Sequence, residues 1–121
     1  MWSPYLKCKI HRATVTDANV EYEGSISIGS NLLEASGLKP FEKVEIYNVT
    51  NGNRFATYVM PAPAYQIAIN GAAAWKAGTG DIIIIAHYFF LSPDEAARHK
   101  PTLVYVNGKN EVQSVRDTPP V

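Results

Sequence analysis

Residues 44–60 read VEIYNVTNGNRFATYVM, and this stretch decides the fold class. Two β-prone runs, residues 44–49 and 54–60, lie on either side of the turn residues Thr50-Asn51-Gly52-Asn53. An Asn-Gly pair between two such runs is among the strongest short-range signals of a β-hairpin. The stretch therefore predicts two antiparallel strands that a tight turn connects.

The same Asn-Gly signal occurs twice more in the chain. Asn70-Gly71 ends the β-prone run at residues 66–69, and Asn107-Gly108 separates residues 103–106 from residues 112–115. Apolar patterns predict further strands at residues 5–12, 25–28 and 82–90. The last of these is apolar almost throughout, which is typical of a central strand buried on both faces. Together these patterns predict a mainly β protein.

Two short helices accompany the predicted strands. Residues 31–36 fit a helix because Gly37 follows as a C-terminal cap and Pro40 prevents continuation. Ser92-Pro93-Asp94-Glu95 is a capping box with proline at the first helical position. We expect the helix that it begins to run to about Lys100.

Composition and charge indicate one globular domain across residues 1–121. Hydrophobic residues make up 46% of the chain, and 11 basic residues balance 11 acidic ones. A nucleic-acid partner is not expected, because binding to phosphates needs an excess of basic residues. The single cysteine, Cys8, excludes an intrachain disulfide and indicates a reducing compartment. Since no secretory signal and no apolar run of membrane-spanning length is visible, we expect a cytoplasmic protein without a membrane partner.

The dipeptide Gly24-Ser25 carries little information in isolation, because both residues are common and a turn explains them. Several charged and polar residues of the predicted strands are equally ambiguous. Solvent-exposed charge or ordinary strand packing would explain Lys9, His11, Arg54, Thr57 and Tyr58. A functional interpretation of these residues therefore depends on the motifs that surround them.

Seven short motifs follow one another along the chain. They are KIHR at residues 9–12, YEGS at 22–25, NVTNG at 48–52, RFATY at 54–58, NGAAA at 70–74, GDIII at 80–84 and PDEA at 93–96. In this combination and order, the chain resembles the bacterial aspartate 1-decarboxylases, a family of pyruvoyl-dependent enzymes. The resemblance covers about residues 6–115.

The resemblance implies a fold and an assembly that the periodicity of the sequence does not specify. The implied fold is a six-stranded double-psi β-barrel with short helices. The implied assembly is a homotetramer in which each active site lies between subunits. An accessory maturation protein is a further partner that the resemblance leaves open.

The resemblance also implies self-cleavage between Gly24 and Ser25. The products would be a β chain of residues 1–24 and an α chain of residues 25–121. Ser25 would become a pyruvoyl group, the only cofactor, with no metal. The enzyme would convert L-aspartate to β-alanine and CO2 for pantothenate and coenzyme A biosynthesis, and its pyruvoyl ketone would form a Schiff base with the substrate amine.

By the same resemblance, individual residues acquire roles. Ser25 and the proton donor Tyr58 would be catalytic, while Gly24, Ser25 and Thr57 would take part in processing. Arg54 would bind the substrate carboxylate, for which a planar guanidinium is well suited. The full set of substrate-binding residues would be Lys9, His11, Tyr22, Arg54, Thr57, Asn70, Ala72 and Ala73.

The chain departs from the family pattern at two places. Tyr47 stands where many relatives carry tryptophan, and residues 61–65 replace a loop that is commonly longer, charged and rich in glycine. Two alternatives remain open on the sequence alone. The chain could stay an uncleaved proenzyme, or it could be a β-barrel interaction module without catalytic activity.

Overall fold

In the computed structural model, which describes residues 1–120, nearly half of the chain forms β-strands. The nine strands are β1 (Ser3–Thr14), β2 (Asp17–Asn19), β3 (Ser25–Gly29), β4 (Lys43–Asn48), β5 (Arg54–Ala62), β6 (Ile67–Asn70), β7 (Ile82–Leu91), β8 (Thr102–Val106) and β9 (Val112–Arg116). The α-helices are α1 (Ser30–Ser36) and α2 (Pro93–Ala96), and a 3-10 helix spans Gly71–Trp75. The predicted mainly β class is therefore confirmed.

The strands form one sheet with the order β2-β6-β3-β5-β4-β7-β1-β8-β9. β4 and β5 pair antiparallel, with Val44 opposite Thr57 and Tyr47 opposite Arg54, which confirms the predicted hairpin. β8 and β9 form the second predicted hairpin. Three pairs, β1–β8, β2–β6 and β3–β5, are parallel. These parallel pairs bring segments that are distant in sequence next to each other.

The predicted count of six strands is wrong, because nine strands form and their order is linear from β2 to β9. Within residues 1–120, no ladder between these two edge strands closes the sheet into a ring. β2 spans only three residues and is held by its parallel pairing to β6. A strand this short has no alternating pattern that a sequence could reveal.

A single hydrophobic core joins the half of the sheet that begins at β2 to the half that ends at β9. Its fully buried side chains include Ile26 and Ile69 from one half, Ile85 from the centre and Val104 from the other half. Helix α1 contacts strands of both halves and buries Leu32 in the same core. The sheet is therefore coiled around shared apolar side chains, although its edges do not pair.

Strand β7 lies between β4 and β1, so its predicted central position is confirmed. The prediction that it is buried on both faces is wrong, because Ile82 and Ile84, on the face opposite Ile83 and Ile85, are only half-buried. Ile83 and Ile85 are fully buried, whereas Tyr88 is 41% and Phe90 66% exposed. The pairing with β4 ends at Ala86, and the remainder of β7 pairs only with β1. The second half of β7 therefore lacks β4, the strand that pairs with its first half.

The end of α1 and the start of α2 agree with the sequence, but the second helix is shorter than predicted. Gly37 ends α1 in the left-handed conformation with φ 79°. The capping box at Ser92 and Glu95 is formed, yet α2 ends at Ala96 instead of Lys100. After Ala96 the chain leaves the α-helical conformation, and the Nε2–H of His99 donates to the carbonyl of Leu6 at 2.7 Å. This anchor to β1 competes with continuation of the helix.

No helix formed by the described residues combines the length and apolarity needed to cross a membrane.

Residues 61–65, which differ from the family pattern, comprise the end of β5 and the turn that follows it, and Asn110 ties this turn to the rest of the fold. The Asn110 Nδ2 donates to the carbonyls of Thr14 and Tyr65 at 2.9 Å, and its Oδ1 accepts from the Thr14 N–H at 2.8 Å. Asn110 is 1% exposed. Its carbonyl accepts from Asn31, whose Oδ1 accepts from the Tyr65 N–H. The altered loop is therefore firmly anchored.

Replacing Asn110 with alanine is expected to lower the free energy of unfolding by about 3 kcal/mol, because backbone groups of Thr14 and Tyr65 lose their buried partner. Denaturant unfolding measures this loss. Because Asn110 has φ 60°, Asn110→Gly serves as a control that removes the hydrogen bonds without backbone strain. If Asn110→Gly unfolds like the unsubstituted chain, the side-chain bonds do not stabilise the fold as described.

Candidate active site

Ser25 begins β3 and lies opposite Asn70 on the antiparallel neighbour β6. The Asn70 Nδ2 donates to the Ser25 Oγ at 3.2 Å and to the Ser27 Oγ at 3.1 Å. Ser25 is 6% and Asn70 8% exposed. The hydroxyl of Ser25 is thus a buried acceptor held by one amide, and within residues 1–120 no side chain accepts its own proton.

The backbone on the other side of the Gly24–Ser25 peptide packs against Gly71. Gly71 has φ 77°. A Cβ at position 71 would lie 2.6 Å from the Gly24 Cα and 2.8 Å from the Gly24 N. Such contacts are too short for any side chain, so only glycine permits this approach. Asn70 and Gly71 therefore hold the two residues of the dipeptide from adjacent positions.

Thr57 and Tyr58 lie on β5, the parallel neighbour of β3. Strand alternation places Thr57 on the face of the core residue Val59 and Tyr58 on the other face. Ile26 on β3 pairs with Val59 on β5. Ser25 comes directly before Ile26, and Tyr58 comes directly before Val59. The two therefore lie at the same level of neighbouring strands.

Among the described residues, Tyr58 stacks on one aromatic ring, and it borders an open cleft. Its ring stacks on Phe41, with the ring centres 6.1 Å apart and the planes 22° apart. The cleft has a volume of about 330 Å³ and is lined by Lys43, Ala56, Thr57 and Tyr58. A small molecule can reach Thr57 and Tyr58 from this side.

Arg54 lies at the start of β5 and rests on an aromatic ring. Its Cζ is 4.4 Å from the centre of the Tyr47 ring. The ion pairs formed within residues 1–120 do not include Arg54. Both residues line a cleft of about 230 Å³ together with Ile84. The guanidinium is therefore oriented by the ring and keeps its hydrogen-bond donors for an anion.

Lys9 and His11 share the outer face of β1, whereas Cys8 and Ile10, which alternate with them, are buried. Tyr105 on β8 contacts both. The Lys9 Nζ is 5.8 Å from the centre of its ring, and the His11 ring packs edge-on at 5.4 Å. Tyr105 thereby sets the relative positions of the two basic side chains.

Burial lowers the pKa of His11, and the positive charges of Lys9 and Arg12 lower it further. The imidazole is therefore neutral at neutral pH. Its Nδ1 is buried without a hydrogen-bond partner among the described residues. This nitrogen is therefore an unsatisfied buried polar atom, which is uncommon in folded proteins.

The predicted site residues thus form three groups in one chain. The first surrounds Gly24 and Ser25 and contains Asn70, the exposed Tyr22, the 3-10 helix residues Ala72 and Ala73, and Thr57 and Tyr58 on the neighbouring strand β5. The second is Arg54 on Tyr47, and the third is Lys9 and His11 on Tyr105. Within residues 1–120, no hydrogen bond or ion pair links Lys9 or Arg54 to Ser25.

Sequence reasoning did not assign roles to Gly71, Tyr88 or Tyr105. Gly71 lies inside the NGAAA motif, but its contact with Gly24 depends on how the chain folds. Tyr105 could have been found only from the register that places it beside His11. Tyr88 contacts Tyr47, although the strand partner of Tyr47 is Ile84, four residues earlier on β7. These three positions required the strand pairing.

Comparison with known proteins gives consistent matches over nearly the whole chain. Residues 1–113 match the family model described as aspartate decarboxylase. The aspartate 1-decarboxylase of Hydrogenobaculum sp. is 56% identical, covering 92% of this chain and 89% of the relative. The corresponding proteins of Bdellovibrio bacteriovorus and Methylibium petroleiphilum are 53% and 50% identical, each covering 92% of this chain and 90% and 94% of the relatives.

Proposed function

The chain belongs to the aspartate decarboxylase family and is an enzyme that decarboxylates aspartate, and we propose that it first cuts its own backbone between Gly24 and Ser25. The fragments would be residues 1–24 and 25–121, with a pyruvoyl group at residue 25. The observation that carries this proposal is the arrangement at the dipeptide. Asn70 binds the Ser25 hydroxyl while Gly71 packs against Gly24.

The self-cleavage begins with the Ser25 Oγ attacking the carbonyl carbon of Gly24. The Oγ proton passes to the Ser25 nitrogen as the C–N bond breaks, so that the peptide becomes an ester between Gly24 and Ser25 and the nitrogen becomes a free amine. Loss of the Ser25 Cα proton then expels the Gly24 carboxylate and leaves dehydroalanine. Addition of one water and release of one ammonia convert dehydroalanine to the pyruvoyl group. Thr57, one residue before the level of Ser25 on β5, would polarise the Gly24 carbonyl.

The residues around Ser25 fit the pyruvoyl group, because the Asn70 amide that now binds the hydroxyl can donate equally to a carbonyl oxygen. Once formed, the pyruvoyl ketone would supply a carbonyl for the substrate amine and an electron sink for the bond broken when the carboxylate leaves as CO2. Arg54 and Lys9 would attract and orient the carboxylates of aspartate. Tyr58 would donate the proton that replaces CO2, and His11, Tyr22, Ala72 and Ala73 would line the pocket.

We infer that the site is completed between subunits of a homotetramer with the double-psi barrel fold of the family. Large aromatic side chains on the surface of the single chain support an assembly, because exposed apolar surface marks contact sites. The most exposed are Trp75 at 78%, Phe41 at 73%, Phe90 at 66%, Trp2 at 61% and Tyr22 at 60%. A second subunit could bring Lys9 and Arg54 to Ser25, from which they are separate in one chain.

A cytoplasmic location is part of the same proposal. Cys8 is a free, buried thiol, and burial raises its pKa to about 11, so it stays protonated and unreactive at neutral pH. Free cysteines of this kind are typical of reducing compartments. In such a compartment the product β-alanine would be available for pantothenate and coenzyme A synthesis.

Product analysis with a carbonyl reagent tests the proposed function. The purified, cleaved protein should release CO2 and β-alanine in equal amounts from L-aspartate without added pyridoxal phosphate. Phenylhydrazine, which reacts with ketones, should abolish the reaction and add mass only to the fragment of residues 25–121. Full activity in excess phenylhydrazine would contradict the pyruvoyl proposal.

A further inference from the structure

We propose that Tyr88 is a positioning residue for substrate binding, because its hydroxyl fixes the Tyr47 ring on which the Arg54 guanidinium rests. The inference rests on the proposed function, in which Arg54 binds a carboxylate of aspartate. Tyr88 itself would touch neither the substrate nor the reacting atoms. It would act on Arg54 through Tyr47.

The first step is the contact between Arg54 and Tyr47. The two residues lie opposite each other in the β4–β5 ladder, and the guanidinium carbon is 4.4 Å above the ring centre. A guanidinium at this distance is attracted to the negative face of the ring. Because Arg54 is exposed and forms no ion pair with the other described residues, the ring is the feature that limits where the guanidinium can lie.

The second step is the contact between Tyr47 and Tyr88. The two hydroxyl oxygens are 3.0 Å apart, a hydrogen-bond distance. Tyr47 pairs with Ile84 on β7, so its side chain must lean along the sheet to reach Tyr88. Strand alternation places Ala86 between Ile84 and Tyr88 on this face. Ala86 is 1% exposed, and its small side chain separates the two larger ones on this face.

The third step is the state of the Tyr47 hydroxyl. Burial raises its pKa to about 12, and the hydrogen bond with Tyr88 raises it as well. The Tyr47 phenol therefore keeps its proton at neutral pH and remains able to share a hydrogen bond with the Tyr88 hydroxyl. A tyrosine ring anchored at its tip has less freedom than one anchored only through its backbone.

Loss of the Tyr88 hydroxyl should therefore weaken substrate binding without changing the chemistry. In Tyr88→Phe the ring at position 88 remains, but the Tyr47 ring is free to move and Arg54 moves with it. We expect the KM for L-aspartate to rise about fivefold, the effect of one neutral hydrogen bond. The kcat and the extent of cleavage should not change. A residue that only supported the fold would lower cleavage, kcat and thermal stability together.

Steady-state kinetics on the cleaved protein test the inference. Tyr47→Phe removes the other half of the same hydrogen bond, so it should raise KM as much as Tyr88→Phe, and the double variant should add nothing further. Tyr65→Phe is the matched control, since this tyrosine is also exposed and lies in a separate loop. Its KM should equal that of the unsubstituted enzyme. An unchanged KM in Tyr88→Phe would overturn the inference.

Arg54→Ala separates this inference from the proposed function. If Arg54→Ala leaves KM unchanged, the proposed role of Arg54 is wrong. If Arg54→Ala raises KM but Tyr88→Phe does not, Arg54 binds the substrate and only the role of Tyr88 is wrong. If Tyr88→Phe raises KM equally in the presence and absence of Arg54, Tyr88 does not act through Arg54, and the inference is likewise overturned.

Discussion

Ser25→Ala is expected to leave one intact chain that releases no CO2 from L-aspartate. Alanine has no Oγ to attack the Gly24 carbonyl, so neither the ester nor the pyruvoyl group can form. The fold should survive, because Ser25 is held by one side-chain hydrogen bond from Asn70 and the strand pairing of β3 does not need its hydroxyl. Denaturing electrophoresis and a CO2 assay measure the two losses.

Ser27→Ala is the matched control for this loss. Ser27 lies on the same strand, and its hydroxyl accepts from the same Asn70 amide at 3.1 Å. It is two residues from the dipeptide and cannot attack the Gly24 carbonyl. We expect Ser27→Ala to be cleaved and active. Release of CO2 by Ser25→Ala would show that the ketone does not come from residue 25.

Gly71→Ala is expected to slow self-cleavage on the order of a hundredfold, the cost of misplacing reacting groups by about 1 Å. The new methyl group would lie 2.6 Å from the Gly24 Cα, so Gly24 must move away. That movement would shift the Gly24 carbonyl relative to the Ser25 hydroxyl. The rate at which the intact chain disappears after synthesis measures the effect.

Two other glycines separate this clash from backbone strain. Gly52 and Gly80 also have positive φ, 80° and 91°, but a Cβ at either position would meet no atom within 4 Å. Gly52→Ala and Gly80→Ala should therefore lose some stability and still be cleaved at the normal rate. If they slow cleavage as much as Gly71→Ala, strain rather than contact with Gly24 is the cause.

The parts of the fold that follow from local chemistry were predictable. The Asn-Gly turns set the two hairpins, Gly37 ends α1, and the Ser92 capping box begins α2. Each of these signals acts within a few residues of chain. The end of α2 was not predictable in this way, because it depends on the bond from His99 to Leu6, far away in sequence.

The candidate site was predictable as a list of residues but not as an arrangement. The motifs identified Ser25, Arg54 and Asn70 through a family resemblance, which carries no distances. The contact of Asn70 with Ser25 comes from the β3–β6 register, and the anchoring of Arg54 comes from Tyr47 and Tyr88 on two other strands. The linear strand order likewise results from pairings between distant segments.

The intact mass of the unsubstituted protein under denaturing conditions tests self-processing most directly. We predict two fragments that separate after residue 24. The larger one should be lighter than a fragment beginning with serine by the mass of one ammonia molecule, which identifies the pyruvoyl end. Fragments that form only after incubation in a cell extract would assign cleavage to an accessory maturation protein. A single intact chain that persists even in the extract would contradict the proposal that this enzyme makes its own cofactor from Ser25.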